Sequence, residues 1–253
     1  MTRFVERSQL PNAALHILLG ETYREILDRP LRRLGLIPLY VPENPCVDPR
    51  LRGHADLSLV HLGQNRSLLA PYLRETAFAD SLRALGAELC FAEIRQGREY
   101  PADAQLNICI WGRRWIGNEN TAAEELNVCC AQSEGAMWIP VKQGYANCAC
   151  CIVSDNAMIS ADTGILHALA GSGLDLLSVQ PGHIELPGFP YGFLGGSAFK
   201  PRADLLAFTG HLHEHPDEKA ILHFLKQRKV EALFLTDQPA FDVGGLIPIT
   251  EKS

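Results

Sequence analysis

The feature that most constrains the fold is a recurring order of elements, incomplete only at the two ends of the chain. From Ala14, ALHILLG reads as a buried strand and TYREILDRPLRRLG as a helix, with Thr22 and Glu25 in capping-box positions and Gly35 as its stop. LIPLYV follows as a strand. The next block reads ADLSLVHLG and SLLAPYL as a hairpin about Gln64, Asn65 and Arg66, ETAFADSLRALG as a helix and AELCFAEI as a strand. QLNICIWG, RRWIGN, TAAEELNVCCAQSEG and AMWIPVK repeat the order, with Thr121 and Glu124 in capping-box positions and Gly135 as the stop. NCACCIVSDNAMISAD turns at Asp155 and Asn156 and leads to TGILHALAGSG and LDLLSVQ. GFLGGSAFKPRADLLAFTG, HPDEKAILHFLKQRK and VEALFLTD complete the series.

Each internal block is strand, strand, helix, strand. The first block lacks its leading strand, and the terminal GGLIPIT, Gly244 to Thr250, is a strand with no helix. Joined in space, the two make one more unit. An open array of such units exposes unpaired backbone on its terminal strands, and pairing the last strand with the first removes both edges. The predicted units cover residues 12–42 plus 242–250, 53–94, 104–142, 144–180 and 190–237 of a single domain. Five ββαβ units at a spacing of roughly 40–50 residues fit an α/β propeller. A single layered α/β sheet is the alternative.

Composition narrows the function. The chain is 47% hydrophobic and 21% charged, as in ordinary globular proteins, and its net charge of −6 disfavours a nucleic-acid partner. No apolar run is long enough to span a bilayer, and MTRFVERSQL lacks a secretory core, so a cytoplasmic protein with no membrane partner is expected. Most of the eight cysteines sit in apolar runs and read as reduced core residues. Cys148, Cys150 and Cys151 lack a second ligand pair at zinc-like spacing.

In unit order over nearly its whole length, the sequence resembles the pentein, or guanidine-modifying, superfamily of five-bladed α/β propellers. VKQGYANCACCIVSDNAMISADTGI and PGHIELPGFPYGFLGGSAFK resemble an uncharacterised bacterial branch of that fold. The superfamily includes arginine and agmatine deiminases, dimethylarginine hydrolases, amidinotransferases and a non-catalytic ribosome-binding factor. Its enzymes often carry a nucleophilic cysteine in a C-terminal strand of the form Gly-Gly-x-x-Cys-x-Thr. The same frame here runs from Gly244 to Thr250 with Pro248 in the cysteine's place. The family motif GHVDN is matched by Gly144, Tyr145, Ala146, Asn147 and Cys148, without its histidine and aspartate. Cysteine-based deiminase or amidinotransferase chemistry of the standard kind is therefore not expected.

The resemblance makes Asp56 a carboxylate for a small polar, guanidino-like ligand, with His54 on the same strand face. Asn107, Gln143, Asn147 and Asp242 are expected to line the same axial pocket, and strand alternation sends Cys148 to the core face. The glycine- and proline-rich stretch from Pro181 to Gly196 is expected to form a lid, wall or plug, with Glu185 and Tyr191 facing the ligand. A hydrolase or lyase using Lys142, Tyr145 or His183 is the second reading, in which the cation beside Tyr145 lowers its pKa. A non-catalytic interaction scaffold is the third. His211, His213 and His215 alternate in a way that suits a metal weakly, but no metal or other cofactor is expected. Association into a homo-oligomer is compatible with the sequence.

Overall fold

The computed structural model describes residues 2–252. The chain runs β1 (Thr2–Phe4), β2 (His16–Gly20), α1 (Arg24–Arg33), β3 (Ile37–Val41), β4 (Leu59–Gly63), β5 (Arg66–Leu69), α2 (Ala77–Ala84) and β6 (Glu88–Phe91). It continues through β7 (Cys109–Trp111), β8 (Arg114–Gly117), α3 (Glu124–Gln132), β9 (Met137–Pro140), α4 (Ala146–Ala149), β10 (Cys151–Ser154), β11 (Ala157–Ser160), α5 (Thr163–Leu169) and β12 (Asp175–Ser178). The last elements are β13 (Ala198–Arg202), β14 (Leu205–Phe208), α6 (Glu218–Gln227), β15 (Glu231–Phe234), β16 (Ile247–Pro248) and β17 (Thr250–Lys252).

The described residues form five three-stranded sheets, β16-β2-β3, β4-β5-β6, β7-β8-β9, β10-β11-β12 and β13-β14-β15, and one two-stranded sheet, β1-β17. Every three-stranded sheet joins an antiparallel pair to a parallel pair. The parallel pair needs a crossover, which a helix supplies in each unit. The C-terminal strand finds its expected partner, because Ile247 pairs with Leu18 and Pro248 with Ile17. Beyond that expectation, the two chain ends pair again as Thr2 with Lys252, Arg3 with Glu251 and Phe4 with Thr250.

Strand alternation decides which neighbour each side chain meets. On β2, Leu18 packs with Leu59 and Leu69 of the β4-β5-β6 sheet. Ile17 and Leu19 point the other way, onto Phe199 and Ala207 of the β13-β14-β15 sheet. Three further clusters join β4-β5-β6 to β7-β8-β9 through Leu68 and Trp115, β7-β8-β9 to β10-β11-β12 through Trp111 and Met158, and β10-β11-β12 to β13-β14-β15 through Val153 and Phe208.

Helix stops follow the sequence closely and helix starts do not. Gly35, Gly86 and Gly135 take positive φ beyond their helices, where a side chain would be strained. Thr22, however, lies in a 3-10 turn and donates its hydroxyl to Glu43, so α1 begins two residues later without a side-chain cap. Thr121 likewise leaves α3 uncapped, since that helix starts at Glu124. The side-chain caps are Thr76 for α2 and Asp162 for α5, each accepting from a backbone N–H three residues on.

Candidate functional site

Four segments that sequence patterning treats as strand contain short helical turns, and the site is built on two of them. Residues Ala55–Leu57 form a 3-10 turn rather than a strand, which buries Asp56 at 2% exposure with His54 just ahead of it. Ala146–Ala149 form the single turn α4, and this overturns the assignment of Cys148 to a core-facing strand position. Pro71–Leu73 and Gly195–Ser197 are the other two, the latter leading into β13.

The turn in α4 aims Asn147 and Cys148 at the same carboxylate. Asp56 Oδ2 accepts from Nδ2 of Asn147 at 2.9 Å and from the Cys148 thiol at 2.8 Å. Asn107 secures the turn: its Oδ1 accepts the Asn147 backbone N–H at 2.8 Å, and its Nδ2 donates to Sγ of Cys148 at 3.4 Å. Gln9 contributes from the N-terminal segment by donating to Oδ1 of Asn147 at 2.9 Å. Asp242 is 1% exposed, and its carboxylate accepts from the backbone N–H groups of Gly244 and Phe193. Gly244 has φ +70°, and a Cβ there would sit 2.4 Å from His54 Cβ, so only glycine lets the terminal segment pass this close.

The electrostatics are those of a negative floor short of a cation. Burial pushes Asp56 up to about 6, against a smaller opposing pull from His54. Burial, then Asp56 and Asp242, raise the Cys148 thiol well above its ordinary value, so this site by itself favours thiol over thiolate. Asp56 Oδ1 and His54 Nε2 are buried with no hydrogen-bond partner among the described residues. Neither Asp56 nor Asp242 forms a salt bridge among those residues.

Above this floor lies a cavity of about 240 Å³. His54, Cys148 and Asp242 form its polar part, while Leu186, Phe189, Tyr191 and Phe193 belong to its apolar walls. The stretch after Pro181 is therefore a wall, held in place where the Arg50 guanidinium stacks 4.2 Å from the Phe189 ring centre and donates to the Gly188 carbonyl. Two small voids of about 20 Å³ each are lined in part by β10, β13 and β16 and by β4, β7 and β16, respectively. The ligand-sized volume is lined instead by residues of the segments that precede β4, β10 and β16, together with the 186–193 stretch.

The expected residues divide accordingly. His54, Asp56, Asn107, Asn147 and Asp242 are brought together, but of these only His54 and Asp242 line the cavity, with Tyr145 and Tyr191; Asp56, Asn107 and Asn147 do not. Gln143 instead supports the backbone, donating to Asp162 and accepting the Tyr145 N–H. Glu185 is exposed, and its backbone joins the segment bearing Asp242. Lys142 is exposed, and no Lys142–Tyr145 pair forms. The Tyr145 hydroxyl donates to Asp103 at 2.6 Å, and burial with that carboxylate raises its pKa, the reverse of the expected lowering.

His183 is exposed beside His215, lining a neighbouring cavity of about 220 Å³. His211 and His213 stack at 4.8 Å, but His215 turns away towards His183, because this stretch is not a strand. The residues that sequence reasoning missed are Cys148, Gln9 and Tyr23, whose hydroxyl reaches the Asp242 carbonyl at 3.5 Å. Only the adjacency of Cys148 to Asn147 offered a signal.

A model of a family of unknown function, DUF6873, matches residues 18–247. The chain belongs to that family. No curated protein matches the sequence of this DUF6873 member. Its structure is similar to an amidinotransferase of the saxitoxin biosynthetic pathway from Microseira wollei, with 11% identity, 98% of both chains covered and a TM-score of 0.59. It is also similar to the inosamine-phosphate amidinotransferase of Streptomyces griseus, at 11% identity, 98% and 97% coverage and a TM-score of 0.57. For the agmatine deiminase of C. jejuni the identity is 10%, the coverage 100% and 97%, and the TM-score 0.55. At such identities the likeness shows the fold, that of the guanidine-modifying enzymes, and no activity. No helix among the described residues is long and apolar enough to cross a membrane.

Proposed function

We propose that this chain is a closed five-bladed α/β propeller that binds a small organic cation, of guanidinium or alkylamine type, in the cavity over Asp242, His54 and Cys148. Closure is supported by the five apolar clusters, which link each three-stranded sheet to the next and the last back to the first. The observation that carries the ligand reading is the pair of buried carboxylates, Asp56 and Asp242, at 2% and 1% exposure without a salt-bridge partner among the described residues. Buried charge is costly unless paired, and a cationic ligand supplies the pair. Tyr145, Phe189, Tyr191 and Phe193 give it aromatic faces. Pro248, in the family's nucleophile position, pairs with Ile17 and offers no thiol, so recognition rather than standard deiminase chemistry is the reading.

Calorimetric titration with alkylguanidines and alkylamines, set against ureas and amides of the same shape, tests this. The cations bind and the neutral isosteres do not, and Asp242→Asn or Asp56→Asn lowers affinity by tenfold or more, the scale of one charge-assisted hydrogen bond at about 1.5–3 kcal/mol. Equal binding of cationic and neutral partners, or no binding by any cation, would overturn the reading.

A further inference from the structure

The same floor fits a second kind of cation. A ring nitrogen of His54, a carboxylate oxygen of Asp56 and Sγ of Cys148 lie within 4.8 Å of one another, and all three side chains are buried. Two atoms of these side chains, His54 Nε2 and Asp56 Oδ1, have no hydrogen-bond partner among the described residues. Buried polar atoms are seldom left unpaired, so two in one cluster point to a ligand that accepts lone pairs. Imidazole, carboxylate and thiolate together match the donor preference of a borderline-soft divalent ion. The neighbouring Cys150 and Cys151 take no part.

We infer that His54, Asp56 and Cys148 form a site for a divalent transition metal of the zinc type, with a fourth coordination position facing the cavity. Metal–ligand bonds of roughly 2.0–2.3 Å set tetrahedral ligand atoms roughly 3.3–3.6 Å apart, so the three groups need shift relative to one another by at most about 1.5 Å. On binding, the Cys148 S–H bond breaks, its proton passes to solvent and the sulfur lone pair forms the bond to the metal; the thiol's hydrogen bond to Asp56 is exchanged for shared coordination. Asn107 remains as a donor to the thiolate sulfur and Asn147 as a donor to the carboxylate, which orients both ligands from behind. Three protein ligands with one open position is the arrangement of sites where a metal meets a small molecule. The metal and an organic cation both use His54 and Cys148, so each excludes the other.

The test is titration of the chelator-treated full chain with Co2+, then with Zn2+ in competition, with no organic ligand present. One equivalent of Co2+ is expected to give tetrahedral ligand-field bands and a sulfur-to-cobalt charge-transfer band, and Zn2+ to abolish both. Cys148→Ser is expected to lose the charge-transfer band, and His54→Asn and Asp56→Asn to weaken binding at least tenfold, with unchanged circular dichroism. Should Cys148→Ser fail to fold, the spectra of wild type and the other two variants decide. The absence of Co2+ bands in the folded wild type overturns the site, as does a charge-transfer band that survives in Cys148→Ser or affinity indifferent to His54 and Asp56. Because this readout needs no organic cation, either reading can fail while the other stands.

Discussion

Asp56 and His61 are both fully buried, and their linkages to pH oppose each other. Asp56 is raised from 3.8 to about 6, so between those values the folded state holds a proton that the unfolded state has lost, and stability falls as pH rises. Burial lowers His61 from 6.5 to about 4, so over much the same window the unfolded state holds the extra proton and stability rises with pH. Each shift corresponds to about 3 kcal/mol, and the two contributions largely cancel between about pH 4 and 6. Chemical denaturation across that window is expected to show Asp56→Asn losing stability on acidification and His61→Gln gaining it. Of the residues at the site, Asp56 and Asp242 were legible because the family frame points at them. Gln9 was not, since no local pattern announces that a side chain from an N-terminal segment will hold Asn147.

At the scale of elements, the strands and helix stops are written in apolar runs and glycines, while the functional turns are hidden by the same apolarity. NCACC reads as a strand by composition, yet four of its neighbourhood's residues form α4, since periodicity cannot separate a short apolar run from one buried helical turn. That turn is what brings Cys148 to Asp56. The alternation of His211, His213 and His215 misled for the converse reason, because side chains share a face only where the backbone is extended. The terminal segment contributes through Gly244. Gly244→Ala places a Cβ against His54 at positive φ, and we expect a loss of about 2 kcal/mol or more in urea denaturation together with loss of ligand binding. An unchanged midpoint would mean that the segment does not press on the site.

For the whole molecule, the chain ends act as structural elements. Leu246, Ile247 and Ile249 are 4%, 7% and 2% exposed, and full burial of such side chains contributes roughly 1.5–3 kcal/mol each. Their sum rivals the usual 5–15 kcal/mol of net stability. Buried Glu251 adds a salt bridge to Arg3 and accepts from the backbone N–H of Asn12. Removing residues 246–252 is therefore expected to abolish cooperative thermal unfolding, and a truncated chain with a wild-type transition would refute closure by the terminal strands. The meeting of the ends was legible in the sequence through the two incomplete units. The cavity walled by Leu186, Phe189 and Phe193 was not, since it depends on side-chain volumes that unit order leaves open. The most direct measurement is a crystal structure grown with an alkylguanidine. Its head group is expected over Asp242, His54 and Cys148 with the alkyl chain along Tyr191 and Phe193. Density for the ligand elsewhere, with the cavity filled by protein side chains, would contradict this placement.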